Sequence, residues 1–146
     1  MEEQIQFKHT FPVQLRFSDV DQFGHVNNSV YFSLYDLAKT TYFKDVLNIT
    51  KMDRLCIVVA NINANFLAPV FFNDEIVVQT AMVHLGNKSF TLMQRAIAPR
   101  TGEVKCECKT IMVMYDLKAM EPVEIPQEYK EIVCKYEGKE MSDLAK

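Results

Sequence analysis

Two hydrophobic periods divide this chain. From Val30 to about Leu47, Val30, Leu34, Leu37, Ala38, Thr41 and Val46 recur at near-helical spacing, and Phe32, Tyr35, Tyr42 and Phe43 widen the stripe. That pattern predicts one long, largely covered helix. Elsewhere the period is two. Residues 11–17, FPVQLRF, read as a first strand, followed by a loop through Asn27 or Asn28. In 57–66, Val58, Ala60, Ile62, Ala64 and Phe66 alternate with Asn61, Asn63 and Asn65. Pro69 and the FFND segment interrupt the pattern. Strands over 75–85, 89–98 and 103–115 follow, joined by turns at Leu85–Lys88 and Pro99–Gly102. Short turns between successive strands predict an antiparallel meander.

The end of the chain carries weaker signals. Pro122 and Pro126 argue against a central strand there. Residues 127–136 suit a short terminal helix, and EGKEMSDLAK reads as a polar, frayed tail from about residue 137. A helix and an antiparallel sheet must bury their apolar faces on each other, so a helix lying across a curved sheet is the economical arrangement. Val77, Phe90 and Met112 are expected on the second sheet face, where a partner subunit would cover them.

Composition narrows the class. At 146 residues the chain suits one domain, spanning 1–146, and shows no internal repeat or low-complexity tract. Hydrophobic residues make up 49% and charged residues 24%, as in ordinary globular proteins. A formal net charge of -3 gives no support to a nucleic-acid or anionic-membrane partner. No apolar run is long enough to span a bilayer, and the acidic start MEEQIQFKHT is unlike a secretory signal. The four cysteines are therefore read as free thiols in a reducing cytoplasm.

Candidate chemistry concentrates in 16–42, RFSDVDQFGHVNNSVYFSLYDLAKTTY. Asp21 is the preferred catalytic group: a carboxylate can activate water or attack a carbonyl carbon directly. A helix beginning just after the loop would present N–H groups that lack intrahelical partners and can stabilise an oxyanion. The plainer role for Asp21 is a loop cap, and for Asp19 a turn or salt bridge. Asn27 and Asn28 are both good helix caps. His25 can donate to a substrate or serve as a hydrogen-bonded structural histidine. Gly24 allows a backbone shape, or a close ligand approach, that a side chain would prevent.

Two patterns in this sequence carry a resemblance. SDVDQFGHVNNSVYFSLYDLAKTTYF, with D-x-D-x-x-G-H-V-N-N-x-x-Y-F, and NANFLAPVFFNDEIVVQTAMVHLGNKSFTLMQRAI, with F-x-x-P-x-x-x-x-D-E, resemble the hotdog-fold acyl-CoA thioesterases of the 4-hydroxybenzoyl-CoA thioesterase-like group. The resemblance covers about residues 10–118. It implies an α+β hotdog fold, a curved antiparallel sheet of five or six strands wrapped around a long central helix. It also implies a homodimer joined edge to edge, in some members paired again into a homotetramer, with active sites at the dimer interface. By position, Asp21 matches the catalytic acid, Gly24 the loop glycine, and Asn28 the residue whose backbone N–H holds the thioester oxygen. The Asn28 side chain departs from the aromatic of some members and bears on acyl specificity. The implied reaction cleaves an acyl-CoA or acyl-carrier-protein thioester to a carboxylic acid and free thiol, without a metal or redox cofactor.

The candidate substrate contacts are His25, Asn27, Tyr31, Asn65 and Lys88. Tyr31 fills the aromatic position of the first pattern. Asn65 belongs to the asparagine row, and Lys88 can meet a coenzyme phosphate, although each such lysine is more often a solvated charge. Cys106 and Cys108 share a strand face but lack metal-pair spacing. Met112 and Met114 are read first as core filler. Two other functions fit the same fold: a hydratase or dehydratase working through a histidine such as His25, and a non-catalytic acyl-CoA-binding subunit.

Overall fold

The computed structural model describes residues 4–51 and 53–145. The strands are β1 (His9–Val13), β2 (Leu55–Phe66), β3 (Ile76–Leu85), β4 (Ser89–Ile97), β5 (Val104–Asp116) and β6 (Glu121–Pro122). The helices are α1 (Asn28–Leu47), α2 (Gln127–Glu137) and α3 (Met141–Leu144), and Phe17–Asp19 forms one 3-10 turn. All pairings are antiparallel, in the order β1-β3-β4-β5-β2, with β6 added beside the end of β5. This is the expected α+β hotdog architecture: one sheet curled around α1.

The first strand is shorter than its hydrophobic run suggests, because Gln14–Arg16 leave the ladder to enter the 3-10 turn. The long helix starts two residues earlier than its apolar stripe. Asn27 adopts an extended conformation and its side chain accepts the Ser29 N–H, which fixes the start. Asn48, in the left-handed region at φ 57°, ends it.

α1 divides the core. Tyr42, Phe43 and Leu47 pack with Met82, Leu85, Phe90, Leu92, Met112 and Met114 at one end. Tyr31, Leu34, Tyr35 and Ala38 pack with Val70, Ile76, Val78, Ala96 and Cys106 at the other. Between them Gln94 is fully buried, and its Nε2 donates to the Tyr35 carbonyl and to Thr80 Oγ1, both at 3.0 Å. Because Gln94 faces α1, its neighbours Met93 and Arg95 face away, and the rung contacts assign every strand a side.

Three expectations change. Phe90 and Met112, expected on the outer face, lie in the core beneath α1; Val77 is the one of the three that faces out. In β2 the alternation breaks at Ala60: Val59 pairs with Met112 and Asn61 with Ile111, so one residue bulges out. Val58 consequently joins the asparagine side, and Val59 takes its place facing α1. Finally, the segment after Glu137 is not a frayed tail throughout. Gly138 turns the chain at φ +67°, α3 follows, and Leu144 is buried in the core cluster. A single apolar side chain four residues after a new helix start is too weak a periodic signal to read in advance.

Candidate functional site

The site begins with a buried brace. Asp19 accepts the Arg16 backbone N–H at 2.7 Å and its guanidinium at 3.0 Å. Burial pushes the Asp19 carboxyl up, but these Arg16 hydrogen bonds and the guanidinium charge outweigh it and hold the group below its ordinary value. Asp19 is thus the anticipated salt-bridge residue.

From this brace the chain forms a small hairpin. The Asn27 N–H donates to the Asp19 carbonyl at 2.9 Å, Val20 bridges Val26, and the Asp21 N–H donates to the His25 carbonyl at 2.8 Å. Gly24 closes the tip at φ +84°, with nothing within 4 Å of where a Cβ would stand. Its role is conformational rather than a matter of space. The hairpin is pinned to the β2–β3 connection by Val26 N–H to the Val70 carbonyl at 2.7 Å and by a bridge between His25 and Phe71.

Asp21 sits at this tip. Its Oδ1 accepts the Phe23 N–H at 2.9 Å and the His25 N–H at 3.2 Å. The loop-capping role is therefore present. Its Oδ2 has no hydrogen-bond partner among the described residues, and the side chain is exposed. The His25 ring stacks edge-on against Phe71 at 4.9 Å.

The other half of the site is the start of α1. Asn27 Oδ1 takes the Ser29 N–H at 3.0 Å, and the Asn27 carbonyl takes the Val30 N–H at 2.9 Å. The Asn28 N–H is left without an acceptor among the described residues. An unpaired first-turn N–H carries the positive end of the helix dipole and attracts a developing negative oxygen. In the hairpin ladder Asp21 and Asn27 are two residues apart in level, about 7 Å.

The candidates do not all converge. Asp21, Gly24, His25, Asn27 and Asn28 share this corner. Tyr31 follows on the next turn but is buried, with its ring 5.5 Å from Phe66 and 6.5 Å from Tyr35. Burial, with Cys106 and Asp74 nearby, pushes its hydroxyl up to about 12. Asn65 lies on the sheet face away from α1, 3.5 Å from Glu107 Oε1. Lys88 lies in the β3–β4 turn, beside the far end of α1, about 30 Å along a helix of 20 residues. Neither Asn65 nor Lys88 meets the Asp21–Asn28 corner within one chain.

What the sequence pattern hides is the aromatic collar. Phe17 is 83% exposed and Phe23 72%, and Phe66, Phe71 and Phe72 are also exposed. Phe17 meets Phe72 edge-on at 6.1 Å. The consecutive phenylalanines of FFND, in a turn where core burial is impossible for both, are the available signal. Among the described residues, no group of three or more His, Cys, Asp and Glu side chains is placed to hold a metal ion.

A sheet curled around a capped helix, with an acid-bearing hairpin beside the helix start, defines a thioesterase-type hotdog domain. The chain belongs to the thioesterase-like superfamily, whose profile matches residues 15–133. It is 25% identical over 121 residues to the long-chain acyl-CoA thioesterase FadM of Escherichia coli, spanning 82% of this chain and 92% of that protein. It is 30% identical to the uncharacterized protein YsmA of Bacillus subtilis over 80 residues, a match that spans 55% of this chain and 54% of YsmA. Among solved structures, a thioesterase from Thermus thermophilus, complexed with coenzyme A and zinc, superimposes with a TM-score of 0.77 at 30% identity, covering 92% of this chain and 98% of that one.

Proposed function

We propose that this protein hydrolyses an acyl-CoA thioester to a carboxylic acid and coenzyme A. The observation that carries the reading is the unpaired Asn28 N–H at the start of α1, beside a hairpin that exposes the Asp21 carboxylate. A thioester oxygen hydrogen-bonded to Asn28 would sit about 3 Å from the amide nitrogen, and an attacking oxygen about 3–3.5 Å from the reacting carbon. The separation of roughly 7 Å between the two levels leaves room for that carbon.

Two routes use the same groups. Asp21 removes a proton from water as the water attacks, or its carboxylate attacks and forms a mixed anhydride that water then opens. In both, the tetrahedral oxyanion rests on the Asn28 N–H and the thiolate leaves with a proton. An oxyanion donor of this kind is worth about 3–4 kcal/mol. No metal or redox group takes part. The His25 ring, held against Phe71, is a wall of the site rather than its base.

The working unit is inferred to be a homodimer. β2 is a sheet edge of 12 residues with one neighbour, an arrangement that invites pairing with a second copy. A carrier-protein thioester remains the second form of substrate. No described helix is long and apolar enough to cross a membrane, and the four free cysteines suit a reducing cytoplasm.

The test is a thiol-release assay over acyl-CoAs of different chain length and over aromatic acyl-CoAs. Asp21→Asn is expected to lower kcat by at least about 100-fold while the fold persists. Undiminished hydrolysis by that variant would remove Asp21 from the reaction.

A further inference from the structure

α1 does not lie centrally on the sheet. It leans on β3 and β1 and leaves most of β2 uncovered. The residues of β2 that face the helix side are Ile57, Val59, Ile62, Ala64 and Phe66, by their pairing with the buried Met114, Met112, Thr110, Cys108 and Cys106. Yet Val59 is 49% exposed, Ile62 39% and Phe66 43%. An apolar row that points toward the core side is therefore bare along a trough between β2 and the flank of α1.

The trough has two ends. At the first, the Phe66 ring lies 5.5 Å from Tyr31 and 6.5 Å from Phe32, on the opening turns of α1 next to Asn28. At the second, a cavity of about 340 Å³ separates the helix from the sheet. Asp36, Lys39, Thr40 and Phe43 line its α1 side, and Ile57, Val59 and Met112 its sheet side. Lys39 is buried there, its ammonium turned to Asp36 Oδ1 at 3.3 Å, which leaves its aliphatic stem as wall.

We propose that this trough is the seat of an extended aliphatic acyl chain, and that Thr40 and Val59 set the chain length accepted. The inference rests on the thioesterase reading above and adds the substrate class to it. The helix provides the ruler. At about 1.5 Å per residue, the cavity lies between about 12 and 22 Å from Asn28 along the axis. An extended chain advances about 1.2 Å per bond, the same as a stretched backbone. An acyl chain anchored at Asn28 reaches the cavity only after roughly ten carbons, and a sixteen-carbon chain ends inside it. A four-carbon chain stops beside Phe32 and Phe66. Removing such a chain from water, against Val59, Ile62 and Phe43, favours the longer substrate at about 0.8 kcal/mol per buried methylene.

The experiment fills the cavity. Thr40 Oγ1 donates only to the Asp36 carbonyl of its own helix, at 2.9 Å, so Thr40→Trp breaks no contact between elements. Steady-state kinetics with butyryl-CoA and palmitoyl-CoA are compared for the parent and for Thr40→Trp. The ratio of kcat/KM for palmitoyl over butyryl is expected to fall at least tenfold. In the Asp21→Asn background, Thr40→Trp is expected to weaken palmitoyl-CoA binding by calorimetry more than butyryl-CoA binding. An unchanged ratio with both thioesters cleaved would overturn the trough assignment and leave the thioesterase reading standing. Selective loss of palmitoyl-CoA binding in a protein that cleaves no thioester would support the trough and sink that reading. Loss of the parent's oligomeric mass in Thr40→Trp would overturn it too, because the trough would then be covered by a second copy.

Discussion

The side chain of Asn27 accepts the Ser29 N–H of its own helix at 3.0 Å. This cap satisfies the second N–H of α1, while the Asn27 carbonyl takes the third, from Val30. The helix start is therefore ordered, yet it keeps one donor, that of Asn28, pointing at nothing. Selective capping turns a generic helix end into a single-donor site.

Asn27→Ala removes the cap without touching the Asn28 N–H. It is expected to cost about 1 kcal/mol of stability, seen as a lowered urea midpoint with an unchanged slope. It also frees a second donor and loosens the first turn, so kcat is expected to fall. An unaltered midpoint would mean that the cap is not made in solution.

Asp21 holds the loop with one oxygen and presents the other. Asp21→Asn keeps an acceptor for the Phe23 and His25 N–H groups, whereas Asp21→Ala loses both hydrogen bonds. Both variants are expected to be inactive. The alanine variant alone is expected to lose thermal stability, by about 1–2 kcal/mol. Equal melting temperatures would argue against the loop-capping role.

Gly24 turns the hairpin at φ +84° in open space. Gly24→Ala meets no neighbour, so its whole effect is backbone strain. A loss of about 1 kcal/mol is expected, with Gly24→Asn milder because asparagine tolerates the left-handed region. Denaturant titration of both variants checks this order.

Glu137, at the end of α2, is buried and within 3.2 Å of the Tyr42 hydroxyl. Burial pushes its carboxyl up to about 7, and the Tyr42 hydroxyl, the Met82 backbone N–H, Lys8 and Lys139 offset only part of that. The folded state thus binds a proton more tightly than the unfolded chain, whose carboxyl titrates near its ordinary 4.5. Stability from this group is complete below that value and is lost as pH rises through about 7. Glu137→Gln is expected to melt higher than the parent at pH 8, by at most about 3 kcal/mol, and to match it near pH 4.5. A constant difference across that range would contradict the shift.

Much of the site is legible in the sequence because its signals are local. Asp21, Gly24, Asn27 and Asn28 occur within one short loop and helix start, and cap chemistry and positive-φ glycine are properties of neighbouring residues. The aromatic collar is not legible. Phe17, Phe66 and Phe72 come from separate segments, and a lone phenylalanine in sequence reads as core. Asn65 and Lys88 illustrate the reverse: each has suitable chemistry, but strand parity and the length of α1 carry them away from the corner.

The chain by itself determined the long helix, the antiparallel meander and the acid–loop–helix order, since periodicity and capping depend on residues a few positions apart. The tertiary structure alone decided the bulge at Ala60, which switches Val58 and Val59 between faces, the docking of Leu144, and the offset of α1 that leaves β2 bare. These depend on how whole elements fill space against one another, and no local pattern encodes the gap between a helix and a strand.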